Sequence, residues 1–264
     1  MEKGKPVKKN AVSRGVSVVS ASSHQPRLAA GKSLKTVGLR RKLSRQKAWA
    51  VEHYKGMENL FMPSFSPDFK TLDEQGIRHD VRNSIRHGFF SMLISGIGIR
   101  TAEENKRFIK TVCDEANGKI LTGVMVSQKN LEEDLDMIDY VEKTGGTHLF
   151  MYPALSLRNA KSEEEAYRIY LDRIQATKLP IVLYGNFNTY RRSGASVRIF
   201  DRLADLPNVV AIKLTQPMNM AAAFHVCERL SDRILIGPVN LDTVVLGQHG
   251  NKIQINRTDQ DAVA

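Results

Sequence analysis

Residues 207–217 read PNVVAIKLTQP. Val209 to Ile212 is a run of β-formers bounded by turn residues, the pattern of a strand buried on both faces. Lys213 is set into that run, and stripping water from an ammonium is costly. Such a lysine reaches solvent along its stem, has its charge paired, or is there to react.

Seven comparable runs lie on either side. Upstream are ENLFMPSF near residue 60, GFFSMLISG near 90, KILTGVMVS near 120, THLFMYP near 148 and LPIVLYGN near 181. Downstream are RILIGP near 235 and NKIQIN near 253. Amphipathic helical patterns separate them, one with Ile77, Val81 and Ile85 on a face, another with Leu131, Leu135 and Ile138. Capping-box spacing marks helix starts at Thr71/Glu74, Thr101/Glu104 and Ser162/Glu165, and Asn130/Glu133 has the same spacing. Strands alternating with helices predict a parallel sheet of βαβ units, and eight of them predict a (β/α)8 TIM barrel. A doubly wound open sheet is the alternative. Its glycine-rich phosphate turn is missing after the first strand, and SGIGIR follows the second strand without a third glycine.

After the eighth run only residues 257–264 remain, too few for an eighth helix. The barrel is therefore expected to be incomplete, without the eighth helix and a C-terminal helical region. Residues 40–56 can form a helix, and this helix or a partner subunit is expected to cover part of the bare outer face beside strands 8 and 1.

The 264 residues are 42 % hydrophobic, with a formal charge of +11. That charge is local. Residues 1–47 hold 13 Lys/Arg and the single acid Glu2, leaving 26 Lys/Arg against 27 Asp/Glu elsewhere. The expected organisation is a basic, disordered leader over 1–45, a barrel domain over 46–256 and a short tail over 257–264. A transit peptide, a nucleic-acid contact and a true start at Met57 are other readings of the leader. No apolar run approaches the ~20 residues of a membrane span. Cys113 and Cys227 suggest neither a disulfide framework nor a zinc site, and a cytoplasmic location is expected.

Barrel chemistry sits at the carboxyl ends of the strands. Those ends carry Ser95, Gly96, Ser127, Tyr152, Tyr184, Lys213 and Thr215, but no carboxylate pair suited to glycoside hydrolysis. They carry no metal-ligand spacing, and the chain has neither H-E-x-x-H nor G-x-S-x-G. His79 and His87 are expected on the surface. A lysine beside tyrosines points to imine chemistry: a neutral amine attacks a ketone, and a phenol moves the proton. A strand-end lysine that merely reaches solvent stays open as the other reading.

These motifs resemble the dihydrodipicolinate synthase / N-acetylneuraminate lyase family of class I aldolases over about residues 57–250. LPIVLYGN followed by LADLPNVVAIKLT is similar to the family's strands 5 and 6, and MPSFSPDFKTLDEQGIRHDV and LGQHG resemble its first-strand and late motifs. The resemblance implies a lyase or aldolase in which Lys213 forms a Schiff base with pyruvate or another 2-oxo acid. It also implies that Tyr184 lines the pocket, that Arg192 of RRSG helps hold a carboxylate, and that the chain forms a homo-oligomer. No cofactor or metal is implied. Three motifs differ. The loop after the second strand reads SGIGIRTAEE, without paired threonines. Ala154 follows the proline of strand 4 where the family has tyrosine, and IGPVN replaces SGDD after strand 7. Ser95 with the amides of Gly96 to Gly98 can form a smaller anion nest. Tyr152 can replace the missing tyrosine, and Thr215 is expected at the pocket mouth. The alternatives are an impaired barrel that binds a small acid, and a binding protein that works through its basic leader, the part expected to meet nucleic acid.

Overall fold

The computed structural model describes residues 43–185, 195–214 and 220–238. Seven strands form one parallel sheet in chain order: β1 (Glu58–Phe61), β2 (Ser91–Ile94), β3 (Leu121–Val126), β4 (His148–Met151), β5 (Ile181–Gly185), β6 (Val209–Leu214) and β7 (Leu235–Pro238). Every one falls on a run that the sequence marks as a strand. The eighth run lies outside the described residues. Around the sheet are α1 (Arg45–His53), α2 (Glu74–Arg86), α3 (Ala102–Ala116), α4 (Leu131–Thr144), α5 (Ala154–Leu157), α6 (Glu163–Gln175), α7 (Val197–Leu203) and α8 (Met220–Leu230). Parallel strands in unbroken sequential order, joined by helices, are the wall of a (β/α)8 barrel. None of the described helices is long and apolar enough to cross a membrane.

Three of the four expected caps form. Thr101, Asn130 and Ser162 accept hydrogen bonds from the amides of Glu104, Glu133 and Glu165 at 3.1, 2.9 and 3.1 Å. Each glutamate turns back and accepts from the amide just before the cap, that of Arg100, Lys129 or Lys161. The Thr71/Glu74 spacing is not a cap. Helix α2 starts from Asp73, whose carboxylate accepts from Gly76 N–H at 3.0 Å. Asp73 stands next to the first helical residue and is the stronger cap. Thr71 serves a short antiparallel bridge between Phe65 and Leu72.

Alternation along the strands divides the apolar residues into two layers. Phe61, Ile94, Val124, Leu149, Leu183 and Ile212 face outward and pack with Ile77, Phe108, Met137, Ile174 and Phe200 of the helices. Leu93, Phe150, Val182, Val210, Ala211 and Leu235 face inward. In β6 the alternation is broken once. Ile181 pairs with Val209 but Val182 pairs with Ala211, so Val210 is an extra, bulged residue. The bulge turns Val209 outward while Ala211 and Lys213 point into the barrel.

Helix α1 corrects the expectation that it covers the outer face. It closes the amino-terminal end of the barrel. Ala50 and Tyr54, 0 % and 2 % exposed, join the inner layer. The Tyr54 ring lies 5.5 Å from Phe90 and 5.2 Å from His148, measured between centroids. Polar ties hold α1 to the turns that enter β5 and β6: Gln46 Nε2 donates to Lys178 O at 3.3 Å, Ser44 Oγ to Pro207 O at 2.5 Å, and Lys47 Nζ to Ala204 O at 2.7 Å. Burying the Tyr54 ring removes apolar surface from water, and its buried hydroxyl, without a hydrogen-bond partner, offsets part of that gain.

At the carboxyl-terminal end, a buried ion pair ties the loops together. Arg173 of α6 donates from Nε to Asp134 of α4 at 2.5 Å and from a terminal nitrogen to Ser156 Oγ at 2.8 Å. The other Asp134 oxygen accepts from Gln128 N–H at 2.7 Å. The side chains of Arg173 and Asp134 are 2 % and 0 % exposed. Thus the segments after β3 and β4 share one anchor. Replacing Arg173 by alanine leaves a buried carboxylate without its cation. The expected loss is about 3–5 kcal/mol in urea unfolding, and a loss under about 1 kcal/mol would contradict the anchor.

Candidate active site

Lys213 stands on the inner face of β6, between its register partners Tyr184 of β5 and Gly237 of β7. Its amine lies 5.0 Å from the centroid of the Tyr184 ring. The Tyr184 and Tyr152 rings pack at 4.7 Å and 44°. Lys213 is not fully buried, yet no carboxylate among the described residues lies within ion-pair distance of its amine. Burial therefore dominates its protonation and holds its pKa below the ordinary lysine value, while the charge of Glu58 opposes this. Burial, with Tyr152 and Glu58 adding to it, raises the Tyr184 phenol, so it stays protonated and able to donate at neutral pH.

Above these residues opens a cavity of about 630 Å³. Tyr152, Tyr184, Ser95 and Gly96 line it, with Leu60, Met125 and Leu155 as apolar wall and Arg100, Asn105, Ser127 and Lys129 as polar wall. Ser95 follows β2, and its amide is held by Phe61 O at 3.0 Å. Its hydroxyl is buried and has no hydrogen-bond partner, which leaves it available to a ligand in the cavity. The chain then makes one tight turn, with Ile99 N–H donating to Gly96 O, and enters α3 at Thr101. At Gly96 the Asn105 amide packs close: a Cβ would come within 2.6 Å of Asn105 Oδ1, so the amide would have to move aside. The loop is short, as its sequence indicated, and the Asn105 amide packs against it.

Four of the predicted residues, Ser95, Gly96, Tyr152 and Tyr184, thus share one cavity, and Lys213 stands beside Tyr184. Arg192 and Thr215 lie outside the described residues, as does the leader through Lys42. Ala154 opens α5 directly after Pro153. His79 and His87 are exposed. Among the described residues no group of three or more His, Cys, Asp or Glu side chains is placed to hold a metal ion. Cys113 is buried in the outer layer, and burial pushes its thiol up to about 11, far from a reactive thiolate.

Sequence reasoning passed over Arg100, Asn105 and Glu58. Arg100 is the first cation after strand 2, and Glu58 shares the inward parity of Leu60. Arg100 could be read from its place directly after the strand, whereas the inward course of Glu58 depends on the register of β1 and β2.

Residues 57–249 match the dihydrodipicolinate synthetase family. The chain is 27 % identical over 191 residues to a 4-hydroxy-tetrahydrodipicolinate synthase of Chloroherpeton thalassium, covering 68 % of this chain and 61 % of the relative. It is 28 % identical over 147 residues to the enzyme of that name from Clostridium perfringens, covering 55 % and 48 %. It therefore spans about half to three fifths of the length of these curated relatives. Among solved structures, N-acetylneuraminate lyase from Fusobacterium nucleatum complexed with pyruvate superposes with a TM-score of 0.64 at 21 % identity, covering 74 % of this chain and 67 % of the other. Dihydrodipicolinate synthase from Aquifex aeolicus gives 0.64 at 19 %, covering 73 % and 67 %. The fold is of the (β/α)8-barrel type, and the chain belongs to the dihydrodipicolinate synthetase family.

The buried setting of Lys213 has a measurable consequence. A lowered pKa enlarges the neutral fraction of the amine at any given pH below it. In competitive acetylation with acetic anhydride across a pH series, Lys213 should reach half-maximal reactivity at lower pH than the exposed lysines as a group. A midpoint at or above theirs would show that solvent reaches the amine.

Proposed function

We propose that this chain is a lysine-dependent lyase or aldolase acting on a 2-oxo acid, with Lys213 as the nucleophile. The observation that carries this is the desolvated amine on the inner face of β6, beside one of two tyrosines whose rings are in contact and line a cavity with an unpartnered serine hydroxyl. Family membership supports the class of chemistry.

The 2-oxo acid enters from the carboxyl-terminal face. Ser95 and the loop at Gly96 receive its carboxylate, with Arg100 at the rim adding positive potential. The neutral Lys213 amine adds to the ketone carbon, the carbonyl oxygen takes a proton, and water leaves as the protonated imine forms. Loss of a proton, or cleavage of a bond, at the neighbouring carbon gives an enamine, because the iminium accepts the electron pair. Tyr184 or Tyr152 passes the proton across the two rings. The iminium is itself the electron sink, so this route calls for no organic cofactor or metal. Arg192 and Thr215 complete the carboxylate site and the pocket mouth in this reading, which also includes a homo-oligomer located in the cytoplasm.

A second reading is a barrel that binds a small acid without turning it over. It is favoured by the single tight turn after β2 and by Ala154 starting α5 where the family resemblance would put a tyrosine.

Borohydride reduction in the presence of pyruvate and other 2-oxo acids should leave a stable adduct on the peptide containing Lys213, and none in Lys213→Arg. Absence of an adduct across a broad panel would overturn the first reading. An adduct with no turnover of any aldol product would favour the second.

A further inference from the structure

The carboxylate site proposed above has one side-chain donor from its own loop, the Ser95 hydroxyl. Ser95 shares the inward parity of Leu93, is 1 % exposed, and its Oγ has no hydrogen-bond partner. One hydroxyl cannot serve a carboxylate, whose two oxygens offer about four lone-pair sites. Lone pairs drawn out of water and left unmet are costly. Residues 96–100 read GIGIR and lead into the helix cap Thr101, so the loop brings no second hydroxyl of its own. A second side-chain donor has to come from another element.

Asn105 is placed to be that donor. It closes the first turn of α3, where its backbone N–H donates to Thr101 O at 3.1 Å, and the Thr101 cap fixes that turn. The carboxamide lies against Gly96, the residue next to Ser95. A Cβ on Gly96 would stand 2.6 Å from Asn105 Oδ1 and 3.4 Å from Nδ2. Ser95, Gly96 and Asn105 line the same cavity. The carboxamide makes no side-chain hydrogen bond among the described residues, which leaves its two N–H donors free. Arg100 differs: one of its terminal nitrogens is tied to Phe69 O at 2.9 Å, which holds the guanidinium at the rim. The remaining polar wall, Ser127 to Lys129, belongs to the segment after β3.

We propose that Asn105 is a substrate-binding residue whose Nδ2–H donates to one oxygen of the 2-oxo acid carboxylate while Ser95 Oγ–H donates to the other. The inference rests on the reading of this cavity as a 2-oxo acid site, and it names what selects the acid there. Selection comes from two neutral donors and not from an ion pair. Hydrogen bonds to an ionised acceptor are roughly twice as strong as those to a neutral one. A ligand with the same ketone but an uncharged ester in place of the carboxylate therefore forfeits most of the gain.

The test compares pyruvate with methyl pyruvate, which keeps the ketone and loses the charge. Binding of each is measured by titration calorimetry in the full chain, in Asn105→Ala and in Asn105→Asp, with circular dichroism to verify folding. Loss of one hydrogen bond to a charged group should weaken pyruvate by roughly tenfold or more in Asn105→Ala, and methyl pyruvate by much less. Asn105→Asp has nearly the same shape, so any packing of this side chain against the loop is kept, but a carboxylate now faces that of the ligand. Pyruvate should weaken further than in Asn105→Ala, with methyl pyruvate close to the parent. A parent chain that binds pyruvate no better than methyl pyruvate, an unchanged pyruvate affinity in either folded variant, or equal weakening of the two ligands in Asn105→Asp would overturn the proposal. Failure of borohydride trapping in the parent with these selectivities intact would defeat the aldolase reading alone. Trapping at Lys213 with pyruvate affinity unchanged in Asn105→Asp would defeat the role of Asn105 alone.

Discussion

The desolvation of one amine is the constraint on which the rest of the structure depends. Lys213 loses its water because the barrel interior is filled from below and walled by aromatic rings at its own level. Tyr54 and Ala50 of α1 close the amino-terminal end, and Phe150, Val182, Ala211 and Leu235 fill the layer above. The bulge at Val210 then sets the parity that aims Lys213 inward, beside Tyr184. A one-residue change in that register would send the lysine to the helices and Ile212 to the cavity.

Buried polar groups are costly unless they are paired, and this barrel holds several that are not. Their distribution is informative. Ser95 faces the cavity, where a ligand can complete its hydrogen bonding. Tyr54, Ser91 and His148 lie at the amino-terminal end of the barrel, where the Tyr54 ring packs on His148 and Ser91 is the register partner of Glu58. The Asp134–Arg173 pair serves a different end: it keeps the β3 and β4 loops in place around the cavity mouth.

Much of this was legible in the sequence. Strands with continuous apolar runs and helices with strong caps announce themselves locally, which is why seven strands and the caps at Thr101, Asn130 and Ser162 were readable. Lys213 stood out because a charge inside an apolar run is an anomaly on any reading. Other features depend on distant partners. Thr71 and Asp73 are both sound caps, and only the bridge to Phe65 decides between them. The bulge at Val210 has no glycine or proline to mark it. Helix α1 has a buried face, but whether that face meets the outer helices or the barrel floor depends on the entry turns of β5 and β6. Glu58 sits at a strand end where an acid normally escapes to water, so its inward course emerges only with the register of β1 and β2.

The most direct test of the central claim is a crystal structure of the protein soaked with pyruvate. The account predicts continuous density from Lys213 Nζ to the ketone carbon, with the ligand carboxylate at Ser95 and Gly96 and the Tyr184 hydroxyl facing the imine. Pyruvate bound elsewhere in the cavity, with the Lys213 amine unmodified and turned to solvent, would contradict it.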